Sequence, residues 1–402
     1  MHISLLRNLN QYGGPLACRM VFLARSLFKI RRHRIQAIPA NIKEIVVIKY
    51  FGMGTLLLAS PALRELKRTY PEARITIVTL AENREICEML PAFDRVLQLS
   101  LGNPLSFMVS FLRVLVLARR IRPDIVADLE FFTNFSALST LLITATARPL
   151  ISVGFCSSLK WRNRVYDITV SFDHSRHISK IYIKFISSIC SNVDKKEPLF
   201  DQEHAALLRH RDPKQFDAVL AESGVDANKA FVACLNINAG ILCLHRRWPL
   251  LYFKELVAGL LESENVVILL IGGKEDRCYV EALQDNSGAS CRCINICGQT
   301  KLSGLIDLLA RSNLCITNDS GPLHLSHVLG TPTISFFGPE TPCLYGPLGN
   351  GHTVFYKDLF CSPCLNIYNS KFSNCRDNIC LRSITPDEVL AVIRERYLPH
   401  TT

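Results

Sequence analysis

The sequence predicts an α/β protein with two Rossmann-like, doubly wound domains that face a cleft. From Glu44 onward, short β-branched apolar runs alternate with helical stretches, which is the pattern of a parallel sheet with helices on both faces. A chain of 402 residues, 49% of them hydrophobic, is long enough to fill two cores. A charged run with a proline at 194–198 interrupts the alternation, as an interdomain connection does. We therefore expect an N-terminal extension at 1–43, a first domain at 44–195 and a second domain at 196–402.

Strands and helices are expected to alternate within each domain. In the first domain, strands are predicted at 45–49, 74–79, 124–128 and 150–153, and helices at 55–69, 104–120 and 134–146. In the second domain, strands are predicted at 230–236, 265–271, 313–317 and 333–337, and helices begin near Pro249, Glu275, Leu302 and Gly321. Open α/β sheets bind ligands at the carboxyl ends of their strands, so a site is expected in the loops that follow them.

The charge balance restricts the partners of this protein. It has 46 Lys and Arg against 35 Asp and Glu, a formal net charge of +11, which favours phosphorylated substrates or an anionic membrane surface. No motif that reads a nucleic-acid groove accompanies this charge, so we expect no nucleic-acid partner. Sixteen cysteines in a chain of this length, without a convincing export signal, indicate mostly reduced thiols and a cytoplasmic protein.

The N-terminal extension combines basic and large apolar residues. Arg25, Lys29 and Arg32 share one helical face. Two interpretations stay open: a membrane-surface helix, which would make the protein peripheral on the inner face of the cytoplasmic membrane, or a solvated extension packed on the fold. Basic residues interrupt both apolar stretches of the chain, 16–30 and 107–118, so neither is expected to cross a bilayer.

The most informative segment is TNDSGPLH at 317–324, which follows a predicted strand and opens a helix. Asp319 or Ser320 can cap that helix, and the proline suits its first turn. Gly321 has no side chain, so a phosphate can approach free backbone N–H groups at the positive end of the helix dipole. His324 lies about one turn inside, where its ring can donate to the same anion or to a sugar hydroxyl. In the structural alternative, Asp319 only caps the helix and His324 only packs.

Two further strand ends supply polar groups that complete a donor-binding site. Asn238 and Ala239 follow the strand at 230–236 and precede an arginine pair that begins at Arg246. An arginine fork can bind phosphate oxygens through two parallel hydrogen bonds, although an exposed basic loop is the alternative. Glu275 follows the glycine pair at the next strand end, where its carboxylate can accept hydrogen bonds from ribose or sugar hydroxyls.

These segments, taken in order, resemble glycosyltransferase family 9, which contains the ADP-heptose:lipopolysaccharide heptosyltransferases. The C-terminal domain of that family is matched by HRRWP at 245–249, GGKE at 272–275, DSGPLH at 319–324 and FGP at 337–339. The N-terminal half agrees, because IVVIKYFGMG at 45–54, followed by PAL at 61–63, resembles the family's first strand, glycine turn and helix.

The resemblance implies a GT-B fold, with the donor nucleotide held by the C-terminal domain and the acceptor by the N-terminal one. It implies that Asp319, Ser320, Gly321 and His324 surround the donor diphosphate and sugar, and that Glu275 faces the ribose. Arg246 stands where many members have a lysine, and either residue would neutralise charge on the leaving group. A basic, helical diphosphate site has little need of a metal, so we expect no cofactor and no catalytic metal.

The acceptor-side loop, Gly52-Met53-Gly54-Thr55, departs from the family pattern. Well-known members have an aspartate, regarded as the acceptor base, where this chain has Thr55, and threonine cannot be a general base at neutral pH. A substitute carboxylate, a differently assisted mechanism or an inactive binding protein would each explain this. Asp128 and Glu130 are the candidate substitutes, because strand alternation would place both on one face at the end of a strand. Their alternative role is capping or interdomain contact.

The densest cysteine group lies near the C-terminus and consists of Cys361, Cys364, Cys375 and Cys380. Its paired spacing suits a tetrahedral thiolate site for zinc or an iron–sulfur cluster. A local structural staple and an unoccupied cluster are equally open interpretations.

The sequence therefore predicts an enzyme that moves heptose or a related sugar from a nucleoside diphosphate to a lipid-linked acceptor. By resemblance, the donor is ADP-heptose, the acceptor is the lipopolysaccharide core or a similar saccharide, and direct displacement inverts the anomeric carbon. Two other classes remain: a nucleotide-sugar epimerase, which needs acid and base groups across the donor sugar, and a non-catalytic sugar-nucleotide-binding protein, suggested by Thr55.

Overall fold

The computed structural model describes two compact units, Met1–Phe200 and Asp201–Thr402. The described residues are Arg19, 38–39, 41–158, 160–190, 200–226, 229–240, 243–283, 290–367 and 373–398. Most of the basic N-terminal extension lies outside them, so its surface helix stays a prediction. Within these ranges, no helix is both long enough and apolar enough to cross a membrane.

A six-stranded parallel sheet forms the centre of the first unit. Its strands are β1 (Glu44–Ile48), β2 (Arg74–Leu80), β3 (Arg95–Leu99), β4 (Ile125–Asp128), β5 (Ile151–Phe155) and β6 (Ile168–Val170). They are ordered β3-β2-β1-β4-β5-β6, and every neighbouring pair is parallel. The central strands β1 and β4 are almost wholly buried, as expected for continuous apolar strands covered by helices on both faces.

Among the described residues from position 41 onward, six helices accompany these strands. They are α1 (Met53–Thr69), α2 (Arg84–Met89), α3 (Pro104–Ile121), α4 (Asn134–Ala147), α5 (Lys160–Asn163) and α6 (Ile178–Ser187). The start of α3 is well defined locally, because the Asn103 side chain accepts a hydrogen bond from Ser106 N and Pro104 occupies the first turn. Arg122 and Arg148 end α3 and α4 in the left-handed conformation.

The second unit repeats the same topology. Its strands are β7 (Phe231–Asn236), β8 (Val266–Leu270), β9 (Cys293–Asn295), β10 (Leu314–Asn318), β11 (Thr333–Phe337) and β12 (His352–Tyr356), ordered β12-β11-β10-β7-β8-β9 and all parallel. Its helices are α7 (Asp201–Leu208), α8 (Pro213–Glu222), α9 (Leu250–Leu261), α10 (Arg277–Glu281), α11 (Leu302–Arg311), α12 (Gly321–Leu329), α13 (Pro342–Tyr345), α14 (Ile379–Arg382) and α15 (Pro386–Arg396).

The predicted fold class, two doubly wound α/β units, is confirmed. All eight predicted strands are present, with ends shifted by one or two residues. The outer strands β3, β6, β9 and β12 were not predicted, because β3 and β12 are only partly buried and β6 and β9 have three residues each. The helix expected near Glu275 begins instead as a 3₁₀ turn at Lys274–Asp276 and continues as α10.

Trp248 lies at the centre of the second unit's core. Its ring is fully buried and stacks on Phe336 with centroids 4.4 Å apart and planes 11° apart. Its Nε1–H donates to the carbonyl oxygen of Ile384 at 2.9 Å, so the polar atom of the indole is satisfied in the core. These contacts hold the loop that leads into α9 against the core.

A tight approach between β5 and Tyr166 gives a first testable prediction. A methyl group at Gly154 would overlap the Tyr166 ring, whose hydroxyl is hydrogen-bonded to Asp128. We expect Gly154→Ala to lower the free energy of unfolding by roughly 1–3 kcal/mol, the usual cost of overpacking. Urea unfolding followed by fluorescence measures it, and Gly102→Ala, where the methyl meets nothing closer than 3.7 Å, is the matched control. Equal stability of the two variants would contradict the prediction.

The edge of the second sheet gives a pH-dependent prediction. Burial lowers the pKa of His352, whose ring nitrogens lie 2.9 Å from Thr333 Oγ1 and 3.4 Å from His327 Nδ1. The unfolded chain therefore binds this proton more readily than the folded one. The contribution of neutral His352 to stability is complete above the ordinary histidine pKa of about 6.5 and is lost as the pH falls below it. As the pH falls, the unfolding midpoint of His352→Gln should decrease less steeply than that of the wild type. Equal slopes for the two proteins would contradict this prediction.

Candidate functional site

Both sheets reverse their strand order at one point. Between β1 and β4 in the first unit, and between β7 and β10 in the second, consecutive connections leave in opposite directions and open a crevice at the carboxyl edge. Buried polar side chains collect at both crevices. In the first unit they are Lys49, Asp128 and Glu130, and in the second they are Asn236, Asn238, Asn318 and Asp319.

In the second unit, the N-terminus of α12 follows β10 directly. Ser320 is the N-cap residue with an extended backbone, yet it makes no side-chain capping hydrogen bond. Its hydroxyl lies 2.8 Å from Asn236 Nδ2 and 3.0 Å from Thr317 Oγ1. The expectation that Asp319 or Ser320 caps the helix is therefore wrong, because both side chains have other partners. Backbone N–H groups of the first turn thus lack a side-chain cap at the positive end of the dipole, an arrangement that binds anions.

Asn318 ties the end of β10 to two points of the β7–α9 connection. Its Oδ1 accepts from the backbone N–H of Trp248 at 2.9 Å, and its Nδ2 donates to the carbonyl oxygen of Ile237 at 2.8 Å. Asn318 is fully buried, so both bonds form away from water. Sequence reasoning missed this residue and Asn236; the available signal was an asparagine at the last position of each of the two central strands.

Arg246 and Asp319 form a largely buried ion pair beside the helix N-terminus. Arg246 Nη1 lies 3.1 Å from Asp319 Oδ2, and Arg246 Nη2 donates to the carbonyl oxygen of Ala239 at 2.7 Å. Burial lowers the pKa of Arg246, but the attraction of Asp319 more than offsets it, so the net shift is upward. His324 Nε2 lies 4.0 Å from the other Asp319 oxygen. Asp319 therefore orients the arginine, and its own negative charge faces the cation.

The adjacent arginine points elsewhere. The Arg247 guanidinium lies 4.4 Å from the centre of the Tyr279 ring and 3.9 Å from Asp276 Oδ1. The two arginines therefore do not form a single fork, because Arg246 ends a 3₁₀ turn and Arg247 follows it with an extended backbone. Only Arg246 joins the crevice built by Asp319.

Asn238 lies deep in the same crevice with its amide against the β8 loop. It is 4% exposed, and among the described residues neither its Nδ2 nor its Oδ1 has a hydrogen-bond partner. A methyl group at Gly272 would come within 3.0 Å of Asn238 Nδ2, so the glycine makes room for the amide. A buried amide without partners is costly, so it marks a position where a polar ligand can bind. Glu275, by contrast, is exposed farther along the same β8 loop.

The first unit places a buried ion pair at its own crevice. Glu130 Oε1 accepts from Lys49 Nζ at 2.8 Å and from the backbone N–H groups of Tyr50 and Phe51 at 2.7 and 2.8 Å. Lys49 Nζ also donates to the carbonyl oxygen of Phe51 at 2.7 Å. The carboxylate thus orients the loop that leads to Gly52, while no hydrogen bond is described for its second oxygen, Oε2.

The side chain of Asp128 binds other side chains than the side chain of Glu130 does. It is completely buried; Oδ1 accepts from Glu130 N at 3.0 Å, and Oδ2 accepts from Tyr166 Oη at 2.6 Å and Thr140 Oγ1 at 3.3 Å. Burial raises its pKa, although buried Arg162 and these hydrogen bonds act in the opposite direction. The expectation that Asp128 and Glu130 aim at one space is wrong, because β4 ends at Asp128 and the chain turns before Glu130.

The acceptor-side loop begins with Gly52 in the left-handed conformation at φ +84°, and α1 starts at Met53. Thr55 Oγ1 donates back to the carbonyl oxygens of Phe51 and Gly52, at 3.0 and 2.9 Å. Gly54 is buried in the helix. Thr55 therefore stabilises the turn. It occupies the position where the resemblance led us to expect an aspartate.

None of the fifteen cysteines in the described ranges, which include Cys361, Cys364, Cys375 and Cys380, forms a disulfide. In the same ranges, no three His, Cys, Asp or Glu side chains are grouped to hold a metal ion. Cys375 Sγ instead donates to the carbonyl oxygen of Asp377, and Ser373 Oγ donates to Cys364 Sγ. Burial raises the pKa of Cys380 to about 11, which keeps it protonated. As placed here, the four thiols do not fit a metal site.

Comparison with known proteins relates the chain to sugar transferases. The family model of glycosyltransferase family 9 (heptosyltransferase) matches residues 136–373. Lipooligosaccharide heptosyltransferase 2 of Campylobacter jejuni is 28% identical over 155 residues, which cover 38% of this chain and 48% of the relative. The chain therefore spans about half the length of this curated relative.

Solved structures of the family share the fold. The ADP-heptose lipopolysaccharide heptosyltransferase II of E. coli matches with a TM-score of 0.64 and 18% identity, covering 87% of this chain and 96% of the other. A family 9 glycosyltransferase from Veillonella parvula matches with a TM-score of 0.67 and 21% identity, covering 89% and 97%. The predicted GT-B fold class is confirmed at this level.

The two adjacent arginines allow a matched test of the second-unit crevice. We expect Arg246→Gln to weaken the binding of ADP roughly 10- to 100-fold, because a charge-assisted hydrogen bond to the diphosphate is lost. Arg247→Gln, whose native side chain lies on Tyr279, should bind ADP like the wild type. Isothermal titration calorimetry measures both affinities. Equal weakening in the two variants would show that general positive charge, and not the Arg246 position, controls binding.

Proposed function

The chain belongs to glycosyltransferase family 9, the heptosyltransferase family, as its motifs predicted, and we propose that it transfers a heptose or related sugar from ADP-heptose. The second unit, which contains the domain predicted at 196–402, would bind the donor, and the first unit, which contains the domain predicted at 44–195, would bind the acceptor. The acceptor is the lipopolysaccharide core or a similar lipid-linked saccharide. One observation carries this proposal: Asp319 holds Arg246 beside the uncapped N-terminus of α12.

The donor diphosphate fits that arrangement chemically. Its oxygens would accept hydrogen bonds from backbone N–H groups at Gly321 and Ser320, while Arg246 would neutralise the charge that develops as the diphosphate leaves. Asp319 acts by positioning the arginine, since a carboxylate in direct contact with phosphate would repel it. The buried amide of Asn238 and the ring of His324 would bind polar groups of the nucleotide or sugar. Glu275 is proposed to meet the ribose from the exposed rim.

The transfer is proposed to be a direct displacement. An acceptor hydroxyl attacks the anomeric carbon, the bond to the diphosphate oxygen breaks, and the configuration inverts. Of the two carboxylates, Glu130 is the better candidate to take the hydroxyl proton. Its Oε1 is held by three donors, which orients the carboxylate, while Oε2 remains to accept. Both oxygens of buried Asp128 already accept hydrogen bonds, so we assign this residue a supporting role.

The proposed acceptor is lipid-linked, so the enzyme would work at the inner face of the cytoplasmic membrane. The net charge of +11 supports an acceptor that bears phosphate or carboxylate groups. Thr55 leaves the family's usual base position without a carboxylate. A chain that binds the donor but transfers nothing would therefore be a non-catalytic homologue.

Donor choice is tested with a thermal-shift panel of ADP-, UDP-, GDP- and CDP-sugars. We expect ADP-heptose to raise the unfolding temperature most, because ligand that binds only the folded state stabilises it. Transfer to truncated lipopolysaccharide, followed by mass spectrometry, should then add one heptose. Failure of every nucleotide sugar to stabilise the protein would remove the enzyme proposal.

The base is tested with Glu130→Gln. We expect kcat to fall roughly 100- to 10,000-fold, because proton transfer to a positioned group contributes about that factor. The acidic limb of the kcat–pH profile should disappear, which a purely structural role for Glu130 would not explain. Glu88→Gln, which removes an exposed carboxylate of α2, is the control. Thermal unfolding and ADP binding show whether the variant is folded, and retained turnover would contradict the assignment.

A further inference from the structure

The outer face of α3 carries an apolar stripe exposed to solvent. Leu105, Met108, Val109, Leu112 and Val116 are 71%, 58%, 40%, 54% and 52% exposed. Their spacing places them on one face over about three turns of helix. These five account for half of the large exposed apolar side chains found in the described part of the chain. A surface helix normally presents polar residues on this side, so the stripe is a candidate interaction surface.

The inner face of the same helix is fully used by the core. Val114 and Ala118 are buried there, and Phe107, Phe111 and Leu115 pack against the same cluster. The outer stripe is therefore additional to the residues that hold α3 on the sheet. Polar substitutions on it should leave the fold intact.

The charge around the stripe has one sign. Residues 95–123 contain no Asp or Glu and have five arginines, at positions 95, 113, 119, 120 and 122. Arg113, Arg119 and Arg120 are exposed on α3 itself. A wholly basic border around an apolar stripe complements an anionic lipid surface, since the apolar residues enter the acyl boundary and the arginines meet the headgroups.

The position of α3 links this surface to the first-unit crevice. The helix follows β3, so its N-terminal end lies at the carboxyl edge of the sheet. Phe107 lies 5.9 Å from Phe135, and Phe135 lies 4.7 Å from Tyr50, measured between ring centroids. Tyr50 belongs to the loop that Glu130 holds. The apolar stripe and this loop are thus joined by one row of packed rings.

We propose that the outer face of α3 docks the protein on an anionic membrane, with the helix lying in the interface plane. Its biological purpose rests on the proposed function, because a lipid-linked acceptor lies in the same membrane. Docking through this face would bring the Tyr50 loop to the lipid surface, where the acceptor saccharide is anchored.

The test uses the full chain and vesicles of phosphatidylcholine and phosphatidylglycerol in equal parts, with phosphatidylcholine vesicles as the neutral comparison. We expect the double variant Leu112→Gln, Val116→Gln to lower co-sedimentation with the anionic vesicles at least tenfold. Arg113→Gln should lower it roughly fivefold, the contribution of one basic residue near such a surface. High salt should reduce the binding of the wild type.

The matched control is the double variant Leu251→Gln, Ile379→Gln, which removes two exposed apolar side chains of the second unit. It should bind vesicles like the wild type. Transfer to a water-soluble, delipidated acceptor should be unchanged in all these variants, so loss of docking and failure of the proposed function give different results.

Two outcomes would overturn the proposal. If the α3 double variant binds vesicles as the wild type does, another segment carries any membrane attachment. If light scattering shows that this variant dissociates a dimer while vesicle binding is unchanged, the stripe is an interface between copies of the chain.

Discussion

Parallel pairing of all six strands brings the carboxyl ends of each sheet to one edge, and the reversal of strand order opens that edge. The loops there leave the sheet with backbone N–H and C=O groups that no neighbouring strand can satisfy. In both units, buried polar side chains at or just beyond the ends of the central strands supply the missing partners. Glu130 does so for Tyr50 and Phe51, and Asn318 does so for Trp248 and Ile237. The geometry of each crevice depends on these bonds.

The same requirement explains why the charged groups occur in pairs. An isolated charge in a protein interior is strongly disfavoured, so Lys49 is held by Glu130 and Arg246 by Asp319. The two ion pairs differ in how much of the cation remains exposed to solvent. Lys49 is almost fully buried with its carboxylate, whereas the Arg246 side chain keeps 22% of its surface exposed beside the helix N-terminus. The second unit therefore keeps a partly exposed cation at its crevice, and the first unit keeps an oriented loop.

These differences between the two crevices agree with the proposal that the second unit binds the donor and the first unit binds the acceptor. A diphosphate needs positive charge that is already oriented when the leaving group departs, because reorganisation at that moment costs rate. A lipid-linked saccharide needs a protein surface that reaches the bilayer, and an apolar helix face with a basic border provides one. Within the first unit, the aromatic contacts from α3 to Tyr50 would connect that surface to the loop that Glu130 holds.

The alternation of apolar and helical segments was enough to predict the eight inner strands and the doubly wound class, since both faces of those strands are buried. The outer strands escaped prediction because they are short or half exposed. Glycine and polar residues at 317–324 located the crevice, because a phosphate loop needs that chemistry next to a helix start.

The hydrogen-bond partners of the individual side chains could not be predicted in the same way. The sequence by itself determined the fold class, the family and the place of the second-unit crevice. Only the tertiary structure decided that Arg246 and Arg247 separate, that Asp319 orients an arginine instead of capping α12, and that Asp128 and Glu130 enter different networks. The physical reason is that periodicity reports which face of an element is buried. Hydrogen-bond partners come from residues some 70 to 90 positions away, as with Arg246 and Asp319 (73 apart) or Lys49 and Glu130 (81 apart), and only folding brings them together.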